Sequence, residues 1–338
     1  MPIILSDKVK QTGRKNAETL RIKKVSIVIP TRNRSEKLKK LLYSILKQTI
    51  RVSEIIIVDD SDDFKTKELV EQLQNSFSEA DITSRHFMSS KDDVKSISKA
   101  RNFGAKIAKG NIVIFLDDDV IINKNYVEKI LEVFDMFPNA LGVQGTVVNF
   151  EYSHLENAIK KVFYYWHAEI GKCRMLPSGK TTHACFPSKI ILCEWLFGLN
   201  VAYRRKVFNE FSFNEKLIGY SLGEDKEFSY KIHKKYPNSL FQTPYAKVYH
   251  DYFPAKNSDE CQNYIVTAYP IGFFYNNIKQ TLKNKMIFIW SEIGRIILRV
   301  VWALPNAKNI KNIIASYVDT IRHIKNVKRE DYSFIFKR

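Results

Sequence analysis

The chain has 338 residues, 45% of them hydrophobic, which suits one large or two modest domains with a real core. Its net charge of +18 requires an anionic partner: nucleotide phosphates, nucleic acid or an acidic membrane surface. Four cysteines with no Cys-x-x-Cys pair argue against a zinc ribbon and fit reduced thiols in a cytoplasmic protein. The N-terminus shows no signal-peptide core, and no uncharged apolar run reaches the roughly 18 residues that a spanning helix needs.

Residues 1–24 are polar and basic, a loose arm or short helix. A strand at 25–29 ends at Pro30, and Ser35 caps an amphipathic helix to 48 with Leu38, Leu41, Leu42, Ile45 and Leu46 on one face. A buried strand at 54–58 ends in Asp59-Asp60. A helix at 64–77, a weak strand at 82–87 and a helix at 95–109, closed by Gly110, lead to a strand at 112–116. A helix at 124–137 and a strand at 141–148 follow. In the aromatic stretch 150–187, Phe163, Tyr164, Tyr165 and Trp166 read as helix core. Strands at 190–196, 201–203, 239–243 and 247–250 surround a short helix at 204–208 and one from Gly223 to 235. The alternation predicts an α/β fold, a mostly parallel sheet wrapped by helices on both faces.

After 257 the pattern becomes helical, with turns near Asn284 and Pro305. From 272 to 338 there are 13 Lys/Arg against 4 Asp/Glu, half of the whole positive excess. In 286–304, Glu292, Arg295 and Arg299 share one helical face opposite an apolar face that carries Trp290 and Trp302. That is the pattern of an interfacial helix, and equally of one packed on the preceding domain.

Five clusters bear chemistry. The apolar run 112–116 stops at Asp117-Asp118-Asp119. Core packing cannot explain three adjacent carboxylates, because each is expensive to desolvate and they repel one another. Mg²⁺ or Mn²⁺ shared with a diphosphate would resolve the repulsion; an acidic turn leading to a helix capped by Asn123 is the plainer alternative. Pro30-Thr31-Arg32-Asn33-Arg34 offers amides and arginines to a phosphate or base. Asp59 and Asp60 could accept from a base or ribose, or simply cap a turn. Arg101 could hold the carboxylates ionised or lie on a solvated helix face. Gly223-Glu224-Asp225 opens a helix, either as an electrostatic cap or as a general base.

Together, Ser26-Ile27-Val28-Ile29-Pro30-Thr31-Arg32-Asn33, Ile57-Val58-Asp59-Asp60-Ser61, Ala100-Arg101-Asn102-Phe103-Gly104, Phe115-Leu116-Asp117-Asp118-Asp119, Gly198-Leu199-Asn200-Val201-Ala202-Tyr203-Arg204-Arg205 and Gly223-Glu224-Asp225-Lys226-Glu227-Phe228 resemble the motifs of family 2 glycosyltransferases, in the family's order, over about two thirds of the chain. The resemblance implies a GT-A fold, a Rossmann-like central sheet with a C-terminal helical extension. It divides the chain into an arm at 1–24, a catalytic domain at 25–256 (nucleotide half 25–122, acceptor half 123–256) and an extension at 257–338.

It further implies an inverting, metal-dependent enzyme that uses a nucleotide-diphosphate sugar, UDP-linked before GDP-linked, and a glycan or lipid-linked acceptor. Pro30, Arg32, Asp59, Asp60, Arg101, Asp117 and Asp118 would bind the nucleotide sugar. Asp119 and His250 would hold Mn²⁺ or Mg²⁺, and Trp195, Gly198 and Asn200 would shape the donor-sugar and acceptor pocket. Asp225 would be the base, with Glu224 beside it. The Gln-x-x-Arg-Trp motif of processive members is absent from the sequence, which implies addition of one or a few sugars. The expected setting is cytoplasmic and peripheral, with 284–325 against an anionic membrane surface, and no role for nucleic acid. The competing reading is a catalytically silent nucleotide or polyanion binder.

Overall fold

The computed structural model describes residues 24–90, 95–219, 221–251, 260–304 and 306–336, so nearly all of the N-terminal arm, and Pro305, lie outside the described residues. Strands β1 (Val25–Thr31), β2 (Glu54–Asp59), β3 (Thr83–Met88) and β4 (Ile112–Leu116) pair in parallel in the order 3-2-1-4. Val, Ile, Phe and Leu occupy both faces of β1, β2 and β4 because both faces are covered. On one side Ile27, Ile55 and Ile114 pack on α1 (Ser35–Leu46) and α2 (Lys65–Gln72). On the other, Val28, Ile56 and Val113 meet α4 (Ile97–Ile107). A Cβ on Gly104 would overlap the Val28 side chain. Only glycine therefore lets α4 lie this close to β1, and that approach sets Arg101 beneath the carboxyl ends of the strands.

Beyond β4 the sheet turns mixed. β10 (Asn200–Arg204) runs antiparallel between β4 and β6 (Gly142–Val147). β11 (Leu240–His250) lies parallel to β6, flanked by antiparallel β5 (Val120–Ile122) and β9 (Ile191–Cys193). β7 (His167–Ile170) and β8 (Thr182–Cys185) form a separate parallel pair. Helices α5 (Tyr126–Met136), α6 (His154–Val162) and α7 (Glu224–Lys235) surround this half. α8 (Glu260–Asn277), α9 (Leu282–Ala303) and α10 (Ala307–Arg322) make the C-terminal layer. No helix among the described residues is long and apolar enough to cross a membrane.

Several expectations are corrected. The helix at 64–77 is two pieces, α2 and α3 (Gln74–Glu79), joined at Leu73. Arg34, not Ser35, occupies the cap position of α1, and no side-chain cap bond forms there. Asn123 does not cap α5: apolar Val120–Ile122 joins the sheet as β5, and Asn123 N–H is spent on Lys247 O at 3.0 Å. Residues 163–166 are not helix core, since α6 stops at Val162 and Tyr164 turns to φ 48°. The strand at 190–196 shortens to β9. The segments 239–243 and 247–250 are one strand whose register shifts between Gln242 and Lys247, around Pro244, which has no N–H to give. The turn expected near Asn284 lies at 278–281, where Thr281 caps α9 by accepting from Asn284 N at 3.2 Å.

Candidate active site

Three loops at the carboxyl ends of β1, β2 and β4 converge on one edge of the sheet, the general ligand position in such folds. The first two are clipped together. Asn33 (φ 55°) donates its backbone N–H to Ser61 Oγ at 2.8 Å and its side-chain amide to Asp62 Oδ2 at 2.8 Å, and it accepts from Asp62 N at 2.9 Å. Pro30 is half-buried on this rim, and Arg32 is exposed with Asp62 3.7 Å away. Asp59 is 0% exposed; its oxygens accept from Ser61 N at 2.9 Å and meet His86 Nε2 at 2.9 Å. Burial pushes this carboxyl up, but the His86 and Ser61 hydrogen bonds outweigh it and hold Asp59 below the usual aspartate range. Asp60, half-buried, accepts from the Ser89 hydroxyl and leaves a carboxylate at the surface of this edge.

Of the three aspartates after β4, Asp117 turns to Arg101 while Asp118 and Asp119 share Arg34. Asp117, held through its N–H to Leu199 O at 3.1 Å, accepts from Arg101 Nη2 at 2.7 Å. Asp118 accepts from Thr31 Oγ1 at 2.8 Å and from Arg34 Nη1 at 3.2 Å. Asp119 meets Arg34 Nη1 at 3.1 Å and His250 Nε2 at 3.3 Å. Burial raises the Asp119 carboxyl, yet the His250 contact and the nearby Arg34 and Lys37 charges leave it net lowered. Asn149 fixes His250 by two hydrogen bonds to its backbone, at 2.8 and 2.9 Å.

Arg101 joins this tip to the helix carrying the proposed base. Its side chain is 2% exposed and touches Asp117, Gly198 O at 3.1 Å and the Glu224 carboxylate at once. Burial and neighbouring Asp225 push the Glu224 carboxyl up to about 8, against the smaller opposing pull of the Arg101 guanidinium. Asp225, one residue on and half-buried, takes Gly198 N–H on Oδ2 at 2.8 Å and Lys226 N–H on Oδ1 at 2.6 Å. A Cβ on Gly198 would lie 2.7 Å from Arg101 Nη1 and 2.9 Å from Asp225 Cβ, so the hub closes only around a glycine. Lys226 points away, to Gly179 O at 3.1 Å and over the Phe273 ring.

The structure thus brings Arg101, Asp117, Asp118, Asp119, Gly198, Glu224, Asp225 and His250 into one connected set. Trp195 and Asn200 sit deeper. Both are buried: the Trp195 indole N–H donates to Thr182 O at 2.9 Å, and Asn200 Oδ1 accepts from Gly145 N at 2.8 Å. The partners Thr31, Lys37 and His86 did not stand out in the sequence. Arg34 did carry a signal, as the second arginine of its motif.

Asp118 allows a pH test. Burial pushes its carboxyl up to about 6 against the opposing Arg34 and Thr31 contacts. The unfolded chain therefore loses this proton first as pH rises from 3.8, and stability falls across the window to about 6. The penalty is complete above that window. Asp118→Asn is expected to melt higher than wild type at neutral pH in a chelating buffer. The gain should vanish below the ordinary carboxylate range.

The residues present fit a small divalent cation. Asp119 and His250 place one hard oxygen and one nitrogen 3.3 Å apart, a donor pair that would suit such an ion. Among the described residues no three His, Cys, Asp or Glu side chains gather into a closed cage.

The sequence matches the glycosyl transferase family 2 profile over residues 26–212, more than half the chain. Glucosyl-dolichyl phosphate glucuronosyltransferase of Haloferax volcanii is 31% identical over 127 residues, 37% of this chain and 38% of that protein. Chondroitin synthase of Escherichia coli is 27% identical over 253 residues, 70% of this chain and 36% of that protein. These matches span little more than a third of either relative's length. Among solved structures, Staphylococcus aureus TarS 1–349 in complex with UDP-GlcNAc superposes with a TM-score of 0.57 at 18% identity, covering 91% of this chain and 88% of that one. GalNAc-T7 with UDP, GalNAc and Mn²⁺ gives 0.54 at 16% identity, covering 81% and 54%. Motif order, sheet topology and profile agree: the chain belongs to glycosyl transferase family 2 and carries the GT-A fold.

Proposed function

We propose that this protein transfers a sugar from a nucleotide-diphosphate sugar to a hydroxyl of a glycan or lipid-linked acceptor, with inversion at the anomeric carbon. The observation that carries the reading is the Arg101 hub, which holds Asp117 of the strand tip and the Glu224-Asp225 pair in one contact set. Pro30, Arg32, Asp60 and Asp117 border the nucleoside and ribose. Arg101 and Arg34 supply positive charge toward the diphosphate. Asp225 keeps an accessible carboxylate that takes the acceptor's proton, while Glu224, committed to Arg101, positions the hub. Inversion needs one base on the attacking face, so a single carboxylate is enough. A UDP-linked donor is favoured, since the TarS and GalNAc-T7 neighbours were solved with UDP-GlcNAc and UDP.

Mn²⁺ or Mg²⁺ would be held by Asp119 and His250 and would neutralise the charge that develops on the departing diphosphate. Nucleotide release from a panel of UDP- and GDP-sugars, with and without Mn²⁺, tests the reading. One sugar should be consumed faster with metal, and a chelator should abolish turnover. Asp119→Asn is expected to lose about a hundredfold in turnover, the scale of one charge-stabilising group, and to need more metal. A metal-independent rate, unchanged in that variant, would remove Asp119 from the site. The anomeric configuration of the product, read by NMR, decides inversion.

A further inference from the structure

Helix α9 buries the charged Glu292 and Arg295 alongside Phe288 and Leu298 and turns most of its other apolar side chains outward. Glu292 and Arg295 are 8% and 1% exposed, and the carboxylate takes Lys180 Nζ at 2.9 Å, Arg295 Nε at 2.9 Å and Tyr317 OH at 3.3 Å. Arg299 turns the same way, to Thr267 Oγ1 and Asn263 Oδ1, each at 2.7 Å. The apolar side meets solvent instead: Met286, Ile289, Trp290, Ile293, Ile297 and Val301 are 44–62% exposed. A water-facing helix would gain by the opposite orientation, with its ions outward and its isoleucines in the core.

The exposed stripe is not isolated. Trp290 Nε1 donates to Val162 O at 3.0 Å, joining α9 to the end of α6, which buries none of its own residues and leaves Leu155, Ile159 and Val162 exposed. Exposed Lys283, Lys285, Lys308 and Lys311 stand at and beyond the ends of the stripe, in the segment that carries half of the chain's excess charge.

We propose that the α6–α9 ridge rests on the surface of an anionic lipid bilayer. The charge selects this occupant. A second copy would bring two chains of +18 face to face, whereas acidic headgroups meet the lysines while the acyl boundary takes the isoleucines and tryptophans. The docked face lies a short chain of contacts from the proposed base. Glu292 on α9 binds Lys180, and neighbouring Gly179 O accepts from Lys226, which follows Asp225. The proposal does not depend on which sugar is transferred.

Co-sedimentation of the full chain with phosphatidylcholine vesicles, with and without phosphatidylglycerol, tests it. Wild type should bind the phosphatidylglycerol vesicles and be released by salt. The Ile293→Glu/Ile297→Glu/Val301→Glu variant should bind about tenfold more weakly or worse, at an unchanged melting temperature. Lys283→Glu/Lys285→Glu, which leaves the apolar stripe intact, should lose the preference for the acidic lipid. Failure of wild type to bind, or wild-type binding by the triple variant, overturns the proposal. So does a dimer in sedimentation velocity that the triple variant dissolves, since that would give the ridge to a second copy.

Discussion

Asp225→Asn is expected to leave a folded protein that binds its nucleotide sugar normally and transfers about a thousandfold more slowly, within the usual range for a lost general base. The side-chain oxygen of Asn can still accept from Gly198 N–H, and the Gly198 carbonyl remains with Arg101, so the hub keeps its shape. Only the proton-accepting capacity is removed. Calorimetric titration of the nucleotide sugar, beside single-turnover transfer, separates the two effects. Near-normal transfer by the variant would put the base elsewhere. Glu224→Gln is the matched control: its carboxylate is buried against Arg101 rather than offered to an acceptor, so the variant should lose far less rate than Asp225→Asn.

Arg101→Met should be the most damaging single change to the fold. It leaves Asp117 and buried Glu224 without their shared cation, and stranding a buried charge costs about 3–5 kcal/mol. Arg101→Lys should not rescue it. One ammonium cannot reach Asp117, Gly198 O and Glu224 together as the planar fork does. Adding Asp117→Asn and Glu224→Gln to Arg101→Met should recover most of the melting temperature, because no uncompensated charge then remains, while transfer stays absent. If Arg101→Met alone melts like wild type, the ion cluster contributes nothing to stability.

What could be read from the sequence follows physical range. The strand at 112–116 was plain because five apolar residues in a row suit a doubly covered strand, while the three carboxylates after it read equally as a cation site or an acidic turn. Of the three, Asp117 takes Arg101 as its counter-ion, whereas Asp118 and Asp119 take Arg34. The Trp195 and Asn200 environments were hidden, because Thr182 O and Gly145 N, which satisfy them, come from other elements. The three-residue β5 was too short to show a period. Helix α9 marks the limit most sharply. Spacing established that Glu292, Arg295 and Arg299 share a face, but not that Lys180, Thr267 and Asn263 would draw that face inward.

The antiparallel insertion of β10 governs how the molecule can be cut and how it must be made. Until residues 200–204 leave the ribosome, β4 has a neighbour on one side only, and a fully apolar strand stands as an open edge inviting pairing with other chains. A nucleotide-binding half ending at 122 is therefore expected to be a sticky intermediate rather than a free-standing module. The smallest fragment that seals its own seam has to run past Arg204, and the family profile, which closes at 212, ends just beyond that stitch.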